Sequence, residues 1–308
     1  MAIAGLDKLN AVLADKPSVN KKVKAKLRYV TKKYLEKIAE YERKEQVLGE
    51  RNSFSKTDPD ATFMRMKEDH MNNGQLKPGY NVQISTSNQF IVNYTIHPNP
   101  TDTRTLSAHL AQHQDSYGKA PASLTADAGY GSEENFQLLE SLEVEAFVKY
   151  GLFDKQQKSS FKNKHGFAGD QLFYNAEQDY YICPMGQRME FVGTLQRKTS
   201  SGFVQHLKKY QAKNCSGCPL NGACHKAKGN RIIQVNENLE RYKAQTYVRL
   251  NSERGVEKRK RRCYEVEPVF ANIKQNHGFR RFMLRGKEKV AIEWGLLAIA
   301  QNIRKKAA

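Results

Sequence analysis

No run of apolar residues in this 308-residue chain comes near the roughly 18 needed to cross a membrane as a helix, so a helical membrane protein is excluded. The opening residues, Met1 to Asp7, lack the basic start and apolar run of a secretory signal, and the expected location is the cytoplasm. Cysteine is scarce, with five residues, and in a reducing compartment disulfides are not expected. Acid is also in short supply. Lys and Arg number 51 against 32 Asp and Glu, for a net charge of +19 and a pI near 9.6. That imbalance calls for a polyanionic partner, most simply nucleic acid. An anionic membrane surface fits less well, because no basic helix carries a large apolar face and no lipidation motif is present. Residues 251–308 hold fifteen Lys or Arg against six acids, which makes the C-terminal segment the expected DNA-facing surface.

What is present organises the chain into four stretches. No proline falls between residues 21 and 48, where Leu27, Val30, Tyr34, Leu35, Ile38 and Tyr41 recur at helical spacing. This predicts one long helix within an N-terminal arm, residues 1–56, with a packing role. Residues 57–150 then change period. Residues 80–85 and 90–96 alternate like strands around the turn Thr86-Ser87-Asn88. A helix from about Asp102 to Gln114 follows, with Leu106, Leu110 and His113 on one side. Next come a strand ending at Asp127, a helix over 133–142 and a strand over 144–150. This order makes a mixed sheet flanked by helices, the α/β strand pattern of most of an RNase H-like fold, without a visible first strand. Residues 151–238 read as an insertion, opening on an exposed Lys-rich linker and containing short strands at 172–174, 180–182 and 189–192. Residues 239–308 return to helix, over about 239–253, 261–275 and 288–305, with breaks at Gly278 and Gly286.

The stretch Ser123 to Ser132 is the centre of the chain. A short strand ends in Asp127, a glycine-bracketed turn follows, and Ser132 opens a helix with Glu133 and Glu134 in its first turn. Asp127 thereby stands at the C-terminal edge of a sheet, where open α/β proteins build their sites. It suits a metal ligand or, equally, a cap for the turn Ala128-Gly129.

Four cysteines cluster at Cys183, Cys215, Cys218 and Cys224. A C-x-x-C knuckle with glycine between the sulfurs, plus a distant Cys-Pro turn, suits a closed structural zinc site in a ribbon-like insertion. The alternative is unbound or redox-active thiols. His225 can replace one ligand, and Cys263 reads as a buried thiol.

Glu267 flanks a helical apolar face made by Val266, Val269, Phe270 and Ile273. Lys274, almost two full turns on, looks the same way. An ordinary surface ion pair explains this spacing. So does a carboxylate that binds Mg²⁺ beside a phosphate backbone, set as it is among Lys258 to Arg262 and Arg280, Arg281 and Arg285.

Taken together, Ala126-Asp127-Ala128-Gly129-Tyr130, Val266-Glu267-Pro268-Val269-Phe270 with Ile273-Lys274, Gly278-Phe279-Arg280-Arg281-Phe282 and Asn302 resemble the DDE transposases of bacterial insertion sequences. The Cys-bearing insertion before the glutamate and Cys183-Pro-Met-Gly186 resemble one branch of that family. The resemblance runs from about Thr57 to Lys305. It implies an RNase H-like catalytic domain that cuts and joins DNA ends by phosphoryl transfer with two Mg²⁺ ions. Asp127 would be the second Asp of the triad and Glu267 its Glu, with Lys274 the basic residue that contacts phosphate. Arg261, Arg262, Arg280, Arg281 and Arg285 would bind DNA. The implied partners are transposon ends, target DNA and further copies of the chain, without a small-molecule substrate, in a cytoplasmic, nucleoid-associated protein. The chain departs from the family at the first Asp, which ends a strand before Gly-Thr or Ser-Thr. Asp7 lacks that setting, and Asp58 and Asp60 are better read as structural. The expectation is therefore a C-terminal portion of a transposase that holds two of three acids. The alternative is a zinc-containing DNA-binding protein without catalysis that inhibits a full-length relative.

Overall fold

The computed structural model describes residues 21–29, 33–66, 74–158, 160–161 and 166–307. They fall into two compact units, Met1–Tyr80 with Leu284–Lys289, and Asn81–Met283 with Val290–Ala308.

The first unit carries helices α1 (Lys21–Tyr29) and α2 (Leu35–Leu48). The single helix expected over 21–48 is thus described as two pieces, and residues 30–32 lie outside the described ones. Of the periodic residues, Tyr29, Tyr34 and Tyr41 are each more than half exposed and Ile38 is half-buried. Strands β1 (Thr62–Arg65) and β2 (Leu76–Gly79) pair antiparallel, with Thr62 opposite Gly79. Beside them the Asp58-Pro59-Asp60 turn is tightly used. Both oxygens of buried Asp58 accept the Tyr80 hydroxyl, at 2.8 and 2.9 Å, and Oδ1 also accepts the Gly286 N–H. Asp60 accepts the Lys287 N–H at 2.9 Å, and Arg51 donates to the carbonyls of Pro59 and Asp60. Burial and the Asp58 charge push the Tyr80 hydroxyl above the usual tyrosine range. Both aspartates therefore serve the backbone around them.

The second unit opens on a hairpin of β3 (Asn81–Ser87) and β4 (Phe90–His97). Its turn residues are Asn88 and Gln89, both at positive φ, one step beyond the Thr86-Ser87-Asn88 turn expected. A 3₁₀ turn at Asp102–Arg104 leads into α3 (Leu106–Tyr117), which stops at Gly118 with φ of +70°. Its inner face is Leu106, His109 and Leu110, with His113 only half-buried. The buried histidine is His109, held between the Ser85 and Thr95 hydroxyls at 2.7 and 2.8 Å.

Strands β5 (Ser123–Ala126) and β6 (Glu145–Val148) run parallel, joined by α4 (Glu133–Ser141). The expected mixed sheet is present as two separate ladders, β3 with β4 and β5 with β6, because no described backbone is hydrogen-bonded between them. Leu106, Leu110, Phe136, Leu139, Phe147 and Val148 fuse these elements into one core, together with Tyr242 and Leu250 from further along the chain. The Lys-rich linker is corrected at its start. Phe153 opens a short helix α5 (Phe153–Gln156) and is only 1% exposed, because it packs edge-on against Tyr150.

The insertion is an antiparallel five-stranded sheet in the order β11-β10-β9-β8-β7, formed by Tyr174–Asn175, Tyr180–Ile182, Arg188–Lys198, Val204–Ala212 and Ile232–Val235 for β7 to β11. Met189, Tyr210, Ala212 and Ile233 make its core. Helices α6 (Glu237–Asn251), α7 (Glu253–Glu265), α8 (Glu267–Ala271) and α9 (Lys287–Ala307) complete the chain. The basic run 254–262, expected to lie partly between helices, forms most of α7, whose first turn Ser252 caps by accepting the Gly255 N–H.

Candidate active site

Residues Leu124 and Ala126 of β5 pack on the core, so the strand is fixed by burial and its end delivers Asp127 to the surface. Asp127 has extended backbone, and its side chain makes no capping bond to the 3₁₀ turn Ala128–Tyr130. The turn-cap reading is thereby overturned: the carboxylate points away from the backbone that it would have served. Ser132 caps α4 as expected, accepting the Asn135 N–H at 3.2 Å. Gly131 is required by space. A Cβ there would stand 2.2 Å from the Lys149 carbonyl oxygen and 2.7 Å from the Tyr150 Cα.

Glu267 comes from the other side, at the first turn of α8. Val269 and Ile273 are fully buried and orient this segment, as the apolar spacing predicted. The two carboxylates meet on one guanidinium. Arg262 Nη2 donates to Asp127 Oδ2, and Nη1 stands 3.8 Å from Glu267 Oε1. Both acids are exposed, at 53% and 64%, whereas the Arg262 side chain is 19% exposed.

Around this triplet runs a polar chain that the sequence did not reveal. Tyr130 donates to Gln83 Oε1, and the Gln83 amide donates to Asp102 Oδ1 at 2.9 Å. Asn81 donates to the same Asp102 oxygen at 2.8 Å. Burial raises the Tyr130 hydroxyl above the usual tyrosine range, Asp102 and Asp127 add to the rise, and Arg262 opposes it. Asp102 thus stands near the crevice, but its outlying position in Thr101-Asp102-Thr103 carries no recognisable spacing.

The remaining sequence-predicted residues divide. Lys274 does not join Glu267. The helix widens to a π-turn over Asn272–Asn276, which spoils the two-turn register, and the Lys274 ammonium stands 5.8 Å from the Phe270 ring. Arg261 is committed elsewhere, to Glu265 at 2.9 Å and Asn88 at 2.7 Å, where it clamps the β3–β4 turn. Arg280 and Arg281 are exposed, with no ion pair among the described residues. Their loop is held from beneath, since Phe279 and Phe282 pack on each other and on Trp294. Arg285 is likewise exposed but belongs to the first unit.

Cys183, Cys215, Cys218 and Cys224 all line one cavity of about 20 Å³, with His225 and Arg231. That is room for a single water-sized occupant. Peptide N–H groups of Gln187 and Arg231 reach the Cys183 and Cys215 sulfurs at 3.3 Å, and the Arg231 guanidinium reaches Cys224 at 2.8 Å. Gly186 and Gly217 turn the two knuckles at φ of +78° and +67°. Both ring nitrogens of His225 are buried without a partner. Cys263 is exposed, not buried as expected, with its thiol toward the Arg259 carbonyl on α7.

As the side chains stand, no three His, Cys, Asp or Glu groups among the described residues are drawn together closely enough to hold a metal ion. The donor chemistry nevertheless fits in both places. Thiols, N–H donors to sulfur and an orphaned imidazole suit zinc at the cavity. At the crevice a cation already stands between two carboxylates, in the form of Arg262. No helix of the described residues is long and apolar enough to cross a membrane.

Residues 182–307 match the family model described as "Transposase DDE domain". The matched stretch contains the cysteine cavity, Arg262 and Glu267, whereas Asp127 precedes it. No curated protein and no solved structure matches the chain.

Proposed function

From the match of residues 182–307 to the model described as "Transposase DDE domain", we propose that the chain is a DDE transposase, that it binds DNA and that it carries out metal-dependent phosphoryl transfer at DNA ends. The observation that carries this reading is the meeting of Asp127 and Glu267, 140 residues apart in sequence, on the Arg262 guanidinium. Asp127 and Glu267 are the groups that would hold the divalent cation, Mg²⁺ by their hard oxygen donors. When bound, such an ion activates the attacking oxygen and offsets charge on the leaving one. The chain's own residues supply the rest. Tyr130, Gln83 and Asp102 form a fixed polar wall, and Arg280 and Arg281 present exposed cations to the phosphate backbone. Lys274, Arg261 and Arg285 are further DNA contacts in this reading, with Lys274 and Arg261 released from their present partners.

The cysteine cavity is the proposed structural zinc site, with Cys183, Cys215, Cys218 and Cys224 as ligands. The N–H···S contacts support it. The core frame is proposed to be RNase H-like, supported by the order hairpin, helix, strand, helix, strand. Assembly with further copies of the chain is part of the same proposal, as is residence in the cytoplasm at the nucleoid.

A second reading follows from the pairing of two carboxylates, without a third among the described residues, at the same guanidinium. In it the chain grips DNA without cutting and competes with an active relative. Nicking of supercoiled plasmid in Mg²⁺ or Mn²⁺ separates the two. Loss of nicking in Asp127→Asn and Glu267→Gln, with duplex binding retained, supports the enzyme. Binding without nicking in the parent chain supports the second reading.

A further inference from the structure

Arg262 differs from the other arginines of the C-terminal segment. Its backbone is fixed, because its carbonyl accepts the Val266 N–H at 3.1 Å where α7 ends. Its neighbour Arg261 is tied to Glu265 and Asn88, which leaves Arg262 as the residue of the pair that faces the carboxylates. The two η nitrogens of one planar fork then serve two different acids, Nη2 serving Asp127 and Nη1 serving Glu267. Two carboxylates brought to one crevice repel each other, and a shared cation relieves that repulsion. A divalent ion needs the Asp127 Oδ2 lone pair that the guanidinium now holds, and its charge would compete with the guanidinium beside Glu267.

Resting on the reading of Asp127 and Glu267 as metal ligands, we propose that Arg262 is an internal competitor for the divalent cation. In the metal-free chain it holds the two carboxylates together as a latch. Metal entry turns the guanidinium off them, and since the helix backbone is fixed, the change is confined to the side chain. The freed fork then stands beside the ion, where a phosphodiester oxygen can take it in the two-pronged geometry that guanidinium favours. Arg262 is thus a positioning residue that couples metal entry to DNA capture. The positive charge it removes from the carboxylates is the charge it offers to the substrate.

The test is Mn²⁺ titration of the full chain, read by the electron paramagnetic resonance of free Mn²⁺. A competitor and a helper predict opposite signs. Arg262→Gln is expected to tighten Mn²⁺ binding about two- to fivefold, the range for releasing a partly exposed ion pair. Arg262→Lys keeps a cation at the crevice and should stay close to the parent. Equal or weaker binding in Arg262→Gln overturns the latch. Adding Asp127→Asn to Arg262→Gln should cancel the gain. If Mn²⁺ affinity ignores Asp127→Asn and Glu267→Gln in the parent chain, the metal reading itself falls, and the latch with it. A measurement on the unsubstituted chain guards against a misfolded variant. The Arg262 Nε–Hε resonance should move on Mg²⁺ addition, and a resonance that stays in place while Mg²⁺ binds at Asp127 overturns the proposal.

Discussion

Asn302 pairs with Ile91 as a strand would: its side-chain Oδ1 accepts the Ile91 N–H at 2.8 Å, and its Nδ2 donates to the Ile91 carbonyl at 2.8 Å. One amide thereby completes both backbone groups of Ile91 on β4 and anchors the end of α9. Asn302→Ala should lower stability by about 1–3 kcal/mol, because two part-buried backbone groups go unpartnered. Urea denaturation followed by tryptophan fluorescence measures this, since Trp294 lies on the same helix. Asn302→Asp removes the donor while keeping the acceptor, and should fall between the parent and Asn302→Ala.

Acid should destabilise the second unit through His109. Burial, then the neighbouring His97 and His113, hold its pKa down at about 4. Around it stand the hydroxyls of Ser85 and Thr95, with His97 on the far side of Thr95. An unfolded histidine titrates near 6.5, so between about pH 6.5 and 4 the unfolded chain binds the extra proton. Stability is therefore full above about pH 6.5, declines as pH falls to about 4, and drops by on the order of 3 kcal/mol across that window. Denaturation midpoints at stepped pH should show the slope, and His109→Gln should flatten it.

Gly131→Ala should be costly although its φ is ordinary, at −77°. The obstacle is backbone atoms of Lys149 and Tyr150, which cannot rotate aside. A destabilisation of about 1–3 kcal/mol is the range for forced overpacking. Gly118→Ala, with open space around it but a left-handed backbone, should cost only about 1 kcal/mol. Thermal melts of the two variants rank space against conformation.

If the cysteine cavity holds zinc, the purified chain should carry about one zinc ion, and Cys218→Ser should lose it. Elemental analysis with a chelator-dependent melt checks both. An unchanged melting temperature after chelation would exclude a structural zinc. His225→Ala then tests whether the unpartnered imidazole is an alternative ligand.

DNA affinity should fall steeply with salt. Arg280→Ala and Arg281→Ala together should weaken duplex binding and reduce the logarithmic salt slope by about two, one for each phosphate no longer neutralised. Fluorescence anisotropy at stepped NaCl concentrations reads the slope directly. Phe282→Ala should have a different effect. It loosens the loop beneath the arginines, so affinity falls while the slope is retained.

Much of the site could be read from residue order. Asp127 at the end of its strand and Glu267 beside a buried Val269–Ile273 face were legible, because short-range periodicity determines which side of an element is buried. The alignment of Lys274 with Glu267 was not legible, since that spacing holds only in a regular helix and the π-turn at Asn272–Asn276 breaks it. Arg262 was legible as basic but not as the residue that both acids share. That role depends on where α7 passes the end of β5, which is long-range packing. Asp102 and Tyr130 were missed because their partners lie on β3, about 20 and 47 residues away, and no local pattern announces a network of that reach. Phe153 was lost among the lysines that follow it, where composition outweighed a single buried ring.

Glu133 bears on how the insertion could be engineered. Only 5% exposed, it sits in the first turn after the Asp127 loop and accepts from Gln205 on β10 and from Asn236 and Asn238 at the start of α6. Cutting out residues 151–235 would strip Gln205 from that carboxylate and leave its remaining two amides on a severed junction. The cysteine-bearing sheet is therefore not a cassette to be swapped at its ends. A chimera or deletion must supply a new donor in place of Gln205, or replace Glu133 together with Asn236 and Asn238.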